Sequence, residues 1–161
     1  MNMIVEIPKG SKNKYEYNPA TDKFVLSKVV LVEYPFNYGF FPNTLSEDGD
    51  PLDAIVFTDE PLVVGCSVEV IPVCVFRTYT KEGVADHKIV CVPKVVGDSF
   101  YAYQNRLSAG YLNRIWDFYF HYKPKEDLPT ILGFDDDFQD IINKAQDKYD
   151  IMEGEDYSGV F

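Results

Sequence analysis

Up to about position 100 the chain is cut into short apolar or alternating runs by Gly, Pro and Asn/Asp turns, with no sustained helical period. That punctuation limits the fold most, because runs this short suit strands rather than helices. Residues 3–7 alternate around Val5, and residues 15–18 form a second short run closed by the turn Pro19-Ala20-Thr21-Asp22. Residues 24–33 are apolar and β-branched. Residues 62–76 are predicted as a strand pair with Gly65 near its start and Pro72 inside it, and residues 89–96 as an apolar strand broken by Pro93. Such spacing predicts a barrel or a sandwich. Twelve Tyr and twelve Phe among 161 residues supply bulky side chains that favour a β-rich core.

The period then changes. Ser108 is the predicted N-cap of a helix to about Tyr122, with Leu112, Ile115, Trp116 and Tyr119 on one face. His121 and Lys123 suit the negative end of its dipole, and Pro124 stops it. A second helix is predicted from Asp136 or Asp137, with Phe138, Ile141, Ile142, Ala145 and Tyr149 as its apolar stripe. Residues 154–161 read as a loose tail. The expected class is α+β, mainly β, with residues 1–161 as one domain.

Fifteen Lys and Arg against 26 Asp and Glu give a net charge of −11, which argues against duplex nucleic acid as a partner. It leaves room for metal ions, and for a small phosphorylated ligand held by a few convergent lysines. Nine of the acids but only two lysines lie in residues 133–161, so most of the excess belongs to a solvated C-terminal face. Cys66, Cys74 and Cys91 lie in apolar surroundings without zinc-ligand spacing and read as core residues. No signal peptide or membrane-length apolar run is evident, so the expected location is cytoplasmic, with no membrane partner.

The densest chemistry lies in Ser46-Glu47-Asp48-Gly49-Asp50-Pro51-Leu52-Asp53, with three aspartates on a sharply turning loop. Clustered carboxylates repel unless cations lie between them, and hard oxygen donors suit Mg²⁺, Mn²⁺ or Ca²⁺. An ordinary loop of turn formers is the alternative. A calcium-binding helix–loop–helix is excluded, because neither Asp48 nor Asp50 as first position brings Gly to the sixth and Glu to the twelfth. In Asp86-His87-Lys88 a carboxylate and an ammonium two residues apart share one strand face, able to hold a metal and a phosphate oxygen, or simply forming an exposed strand start. Lys14-Tyr15-Glu16 repeats the pattern, and Tyr122-Lys123 ends the first predicted helix.

Together these motifs resemble the family I soluble inorganic pyrophosphatases. Asp48-Gly49-Asp50-Pro51-Leu52-Asp53-Ala54 matches that family's signature, and Glu6-Ile7-Pro8, Lys14-Tyr15-Glu16, Tyr34-Pro35-Phe36-Asn37-Tyr38-Gly39, Asp86-His87-Lys88 and His121-Tyr122-Lys123 follow its order and spacing. The resemblance implies a five-stranded, OB-like β-barrel flanked by two main C-terminal helices. It also implies hydrolysis of pyrophosphate to two orthophosphates by metal-activated water, usually with several Mg²⁺ ions. Asp48, Asp53 and Asp86 would ligate metal, Glu6 would reach a metal on the substrate side, and Asp50 would act as general base. Lys14, Lys88, Tyr122 and Lys123 would bind phosphate, while Tyr38 and Glu16 would shape the reacting site. Short members of the family often assemble as hexamers, so a homo-oligomer is expected.

Two positions depart from the pattern. Lys28 stands where the family commonly has arginine, which replaces a bidentate fork with a point charge for the same phosphate-binding role. Lys81 stands where the family usually has a metal-binding aspartate, and a protonated lysine ligates no metal. Either Glu82 supplies the ligand on the permissive turn with Gly83, or the Lys81 ammonium replaces part of a metal's charge. The expectation is a working enzyme with altered metal dependence. The alternatives are a homologue that binds metal and phosphate with impaired hydrolysis, and an OB-like module for single-stranded nucleic acid, which the charge disfavours.

Overall fold

The structure is a computed structural model that describes residues 1–94 and 109–158. Strands β1 (Asn2–Ile7), β4 (Asn37–Phe40), β5 (Asp53–Val56), β7 (Lys88–Pro93) and β6 (Ser67–Tyr79) hydrogen-bond in that order. β1 pairs again with β6, so these five strands close into a barrel, and β8 (Thr130–Asp135) extends β6 beyond it. Every pairing is antiparallel except β5 with β7. β2 (Asn13–Asn18) and β3 (Lys23–Val29) form a separate hairpin. Helices α1 (Ala109–His121) and α2 (Phe138–Ser158) complete the fold, with a 3-10 turn at Lys125–Asp127.

Side chains alternate across the barrel wall, so one set of strands buries two clusters. Ile55, Phe76 and Val90 pack with Ile115, Phe118 and Tyr119 of α1. Ala54, Val56, Val75, Ile89 and Cys91 belong to the second cluster, with Ile142 and Ala145 of α2. Most of each predicted stripe packs as its spacing predicts, but Trp116 is exposed while Phe118 takes a buried place, and Tyr149 lies outside the second cluster.

The barrel is the one expected, but several boundaries differ. Residues 62–76 are not a strand pair: β6 is a single strand of 13 residues. Its register against β7 shifts between Pro72 and Cys74, a bulge that accommodates a residue without an N–H and bends the strand around the barrel. Residues 30–33 leave the hairpin, and the Leu31 N–H donates to the Tyr122 carbonyl at 3.1 Å instead. β4 and β5 escape a search for alternation because each is four residues long and buried at nearly every position. β8 carries Gly133 at its centre, which weakens its strand signal. α2 continues past Gly154 to Ser158, so most of the expected tail is helix. Ser108, residues 95–96 and residues 159–161 lie outside the described residues.

Candidate active site

At one end of the barrel four loops converge. Asp53 opens β5 and Lys88 opens β7, and the parallel register sets them side by side. Asp86 is fixed two residues earlier: its N–H donates to the Thr78 carbonyl at 2.9 Å, and the Thr78 hydroxyl donates to the Asp86 carbonyl at 2.7 Å. The Lys88 ammonium lies 3.1 Å from Asp53 Oδ2, 3.1 Å from Asp86 Oδ2 and 3.1 Å from the Asp86 carbonyl. It also lies 5.6 Å from the ring centre of Tyr38 and 5.7 Å from that of Tyr119. Lys88 is only 4% exposed.

The aspartate loop is held at both ends. Its ends meet through the Phe41 N–H, which donates to the Leu52 carbonyl at 2.9 Å, and through the buried Thr44 hydroxyl. Inside it, the Ser46 N–H donates to the Asp50 carbonyl at 2.8 Å and the Asp50 N–H to Asp48 Oδ1 at 3.0 Å. Gly49 takes a φ of 87°, which a residue with a side chain adopts only with strain. From α2, Lys148 Nζ donates to the Ser46 carbonyl at 2.9 Å. Asp48 and Asp50 are thus exposed on an ordered turn.

Glu6 arrives by a bulge. Val5 pairs with Gly39 and Ile7 with Tyr38, so Glu6 is the extra residue of β1. Its carboxylate accepts the Tyr17 N–H at 3.2 Å, which draws the β2–β3 hairpin towards the barrel end. In that hairpin Lys14 pairs with Lys28. Tyr122 and Lys123 follow the last turn of α1 and share a cleft of about 670 Å³ with Lys28, Lys81, Glu82 and Asp86.

The electrostatics tie these groups into one site. Burial pushes the Glu6 carboxyl up to about 7, with Glu16 and Asp50 adding to the push and Lys14 opposing it. Burial likewise raises Asp53 to about 7, offset in part by Lys88 and by a hydrogen bond from the Tyr38 hydroxyl. Burial also works on Asp86, but Lys88 and hydrogen bonding with Asp53 outweigh it and hold the carboxyl below its ordinary range. Asp48, exposed but partly covered by its neighbours, is raised by that partial burial, then by Asp86 and Asp50. Lys123 is lowered by burial, then by Lys14, Lys28 and Lys88. Burial raises Tyr122 to about 12, so it faces any ligand as a neutral donor.

Glu6, Lys14, Glu16, Lys28, Tyr38, Asp48, Asp50, Asp53, Asp86, Lys88, Tyr122 and Lys123 all meet at this end, and Glu82 lines its rim from an exposed turn. His87 points elsewhere: its Nδ1 accepts the Thr78 N–H at 3.2 Å. Sequence reasoning missed two contributors. Tyr119 was read as packing, yet its ring also lies beneath the Lys88 ammonium. Asp127 pairs with Lys81 at 3.4 Å across the cleft mouth, and nothing in its local sequence marks it.

The donors suit a divalent ion: they are carboxylate oxygens, several with protonation raised by burial and by one another, and Lys88 already serves as a cation between two of them. Among the described residues no three such side chains close on one point.

A closed five-stranded barrel with carboxylates and lysines facing each other at one end suits divalent ions together with a polyanionic ligand such as a phosphate compound. Comparison with known proteins narrows this class. The family described as "Inorganic pyrophosphatase" matches residues 3–150. An inorganic pyrophosphatase from Synechocystis sp. is 42% identical over 142 residues, covering 84% of this chain and 82% of that protein. One from Nanoarchaeum equitans is 39% identical over 154 residues, covering 91% of this chain and 95% of the relative. Among solved structures, the inorganic pyrophosphatase of Helicobacter pylori superposes with a TM-score of 0.84 at 30% identity, covering 93% of both chains. The chain belongs to the inorganic pyrophosphatase family.

Proposed function

We propose that the chain hydrolyses pyrophosphate to two orthophosphates with Mg²⁺, using the residues gathered at this barrel end. The observation that carries this reading is the pairing of buried Lys88 with Asp53 and Asp86, within reach of Asp48, Asp50 and four further lysine and tyrosine donors. Phosphoryl transfer needs positioning and charge neutralisation more than covalent chemistry. Asp48, Asp53, Asp86 and Glu6 would hold divalent ions, which would supply a lowered water pKa and neutralise phosphate charge.

The chain's own groups do the rest. Lys14, Lys28, Lys88 and Lys123 bind phosphate oxygens, and Tyr122 donates a neutral hydrogen bond. Asp50, exposed at the tip of its turn, accepts the proton of the attacking water and, unlike Asp53, is not committed to Lys88. Tyr38 holds Asp53 in place through its hydroxyl, and Glu16, on the hairpin, adds negative charge near Glu6. Burial of Lys88 among rings excludes water from one side of the reacting centre. By likeness to short members of the family, the chain acts as a homo-oligomer.

Purified protein incubated with pyrophosphate and Mg²⁺ releases orthophosphate, and chelation stops the release. No metal-dependent release would sink this reading.

A further inference from the structure

Lys81 is the one lysine of the cleft that the reaction above leaves unused. It sits at the first corner of the turn that leaves β6 towards β7. That turn is closed by the Thr80 N–H donating to the Val84 carbonyl at 2.8 Å and the Gly83 N–H donating to the Thr80 carbonyl at 2.8 Å. Its ammonium lies 3.4 Å from Asp127 Oδ1, on the 3-10 turn that follows Lys123. The two side chains belong to elements 46 residues apart in sequence, and both line the cleft that holds Lys28, Asp86, Tyr122 and Lys123. Neither side chain is sequestered: 58% of the Lys81 side chain and 48% of the Asp127 side chain is exposed. A surface pair so exposed contributes little to stability. It does turn the ammonium toward Asp127 at the cleft mouth, and it leaves that ammonium reachable from the cleft.

We propose that Lys81 is a substrate-binding cation, aimed across the mouth of the cleft by Asp127, which neutralises the outer phosphate where a further metal ion would otherwise be needed. This deepens the pyrophosphatase reading and rests on it. An ammonium supplies charge and three hydrogen-bond donors without ligating metal, and it repels a divalent ion from its neighbourhood. Asp127 is a positioning residue: its carboxylate holds Lys81 over the cleft and does not itself meet substrate. Glu82, beside Lys81 on the same turn, is the rival, as a carboxylate that would bring a metal to the rim.

The test uses the full chain and imidodiphosphate, a non-hydrolysable pyrophosphate analogue, titrated by calorimetry at a series of Mg²⁺ concentrations. The slope of log affinity against log metal counts the ions taken up with the analogue. Lys81→Met is expected to weaken analogue binding about tenfold at fixed Mg²⁺, the scale of one lost charged hydrogen bond. Lys81→Asp is expected to raise the slope by about one ion, since it exchanges the built-in cation for a metal ligand. Asp127→Asn is expected to weaken binding about threefold, and Asp127→Glu to restore it, which a purely structural role for a surface pair would not produce.

Unchanged affinity in Lys81→Met overturns the inference while leaving the pyrophosphatase reading intact. A slope that falls by one ion in Glu82→Gln overturns it in favour of a rim metal. Failure of the unaltered protein to bind imidodiphosphate at any Mg²⁺ concentration overturns both readings together.

Discussion

Lys88 and Asp53 are register partners at the head of the parallel β5–β7 pair, and the ammonium lies 3.1 Å from the carboxylate in a setting almost closed to water. Burial alone would strip the charge from Lys88, but Asp53 and Asp86 hold its pKa above the ordinary lysine value. Lys88→Met keeps most of the stem against Tyr38 and Tyr119 and removes only the charge. Two carboxylates then face each other unpaired. Asp53, already raised to about 7, takes up a proton and limits the damage. We expect a loss of about 2 kcal/mol in denaturant unfolding of the metal-free protein, below the ~3–5 kcal/mol of a stranded buried charge. kcat/KM should fall by on the order of 100-fold, as for loss of one aimed cation.

Asp50→Asn separates chemistry from folding. The turn holds Asp50 through its backbone N–H and carbonyl, and its side chain is exposed. Asparagine preserves size and turn preference but cannot accept a proton. The rate of phosphate release should fall by roughly 10²–10⁴-fold, the span of one general base. The unfolding midpoint should stay within about 0.5 kcal/mol of the unaltered protein. A rate loss accompanied by comparable destabilisation would assign Asp50 to the turn rather than to the water.

Gly39 sits where the backbones of β4 and β1 approach too closely for a side chain. A Cβ built on it would lie 1.9 Å from the Ile4 carbonyl oxygen, which is backbone and cannot move aside. Gly39 also pairs with Val5, next to the bulge that presents Glu6. Gly39→Ala must therefore pry β1 from β4 and displace Glu6. Destabilisation of about 3 kcal/mol or more is expected, at the upper end of overpacking costs. Wild-type stability in urea would refute this close approach.

The motifs that carry the chemistry were legible because each is local: a turn dense in aspartates, a carboxylate and lysine two apart at a strand start, a lysine at a helix end. Barrel closure was not, since β1 meets β6 only through pairs such as Met3 with Val68, and no local pattern reports that. β4 and β5 were missed for a different reason. Strands buried on both faces do not alternate, and four residues are too few to establish a period. The bulge at Glu6 and the Lys81–Asp127 pair depend on how separate segments meet, and so became visible only in the folded chain.

A pH effect is expected away from the site. Asp135, at the end of β8, accepts hydrogen bonds from the Arg77 guanidinium, one of them at 3.2 Å, and from the Asp137 N–H at 2.9 Å. The bond with Arg77 is the main reason its carboxyl lies below the ordinary aspartate range. A lowered native pKa means that the unfolded chain takes up the proton first as pH falls. The pair's stabilisation is therefore complete above about pH 5 and fades as pH drops through the usual aspartate range of about 4. The stability gap between the unaltered protein and Asp135→Asn should shrink over that interval. It should also shrink at high salt, because Asp135 is partly exposed. A gap constant from pH 6 to about 3 would show that the charge of Asp135 contributes nothing.

Metal removal should abolish turnover while sparing the fold. The two buried clusters that close the barrel are apolar side chains of the strands, α1 and α2, and the carboxylate loop joins them through buried Leu52 rather than through its aspartates. Without divalent ions, Lys88 still bridges Asp53 and Asp86, so the most buried acids of the site keep a cation between them. That internal counter-charge distinguishes this chain from small metal-folded domains, in which the ion supplies the folding energy itself. Chelation should therefore leave the circular dichroism spectrum unchanged and lower the unfolding midpoint only by the linkage term of the lost ions. Phosphate release should return in full when Mg²⁺ is restored. In chelated Lys88→Met, where the internal cation is also gone, the aspartate loop and the heads of β5 and β7 should exchange their amide hydrogens faster than in either single condition. If chelation alone unfolds the unaltered protein, Lys88 is not the cation that holds this end of the barrel together.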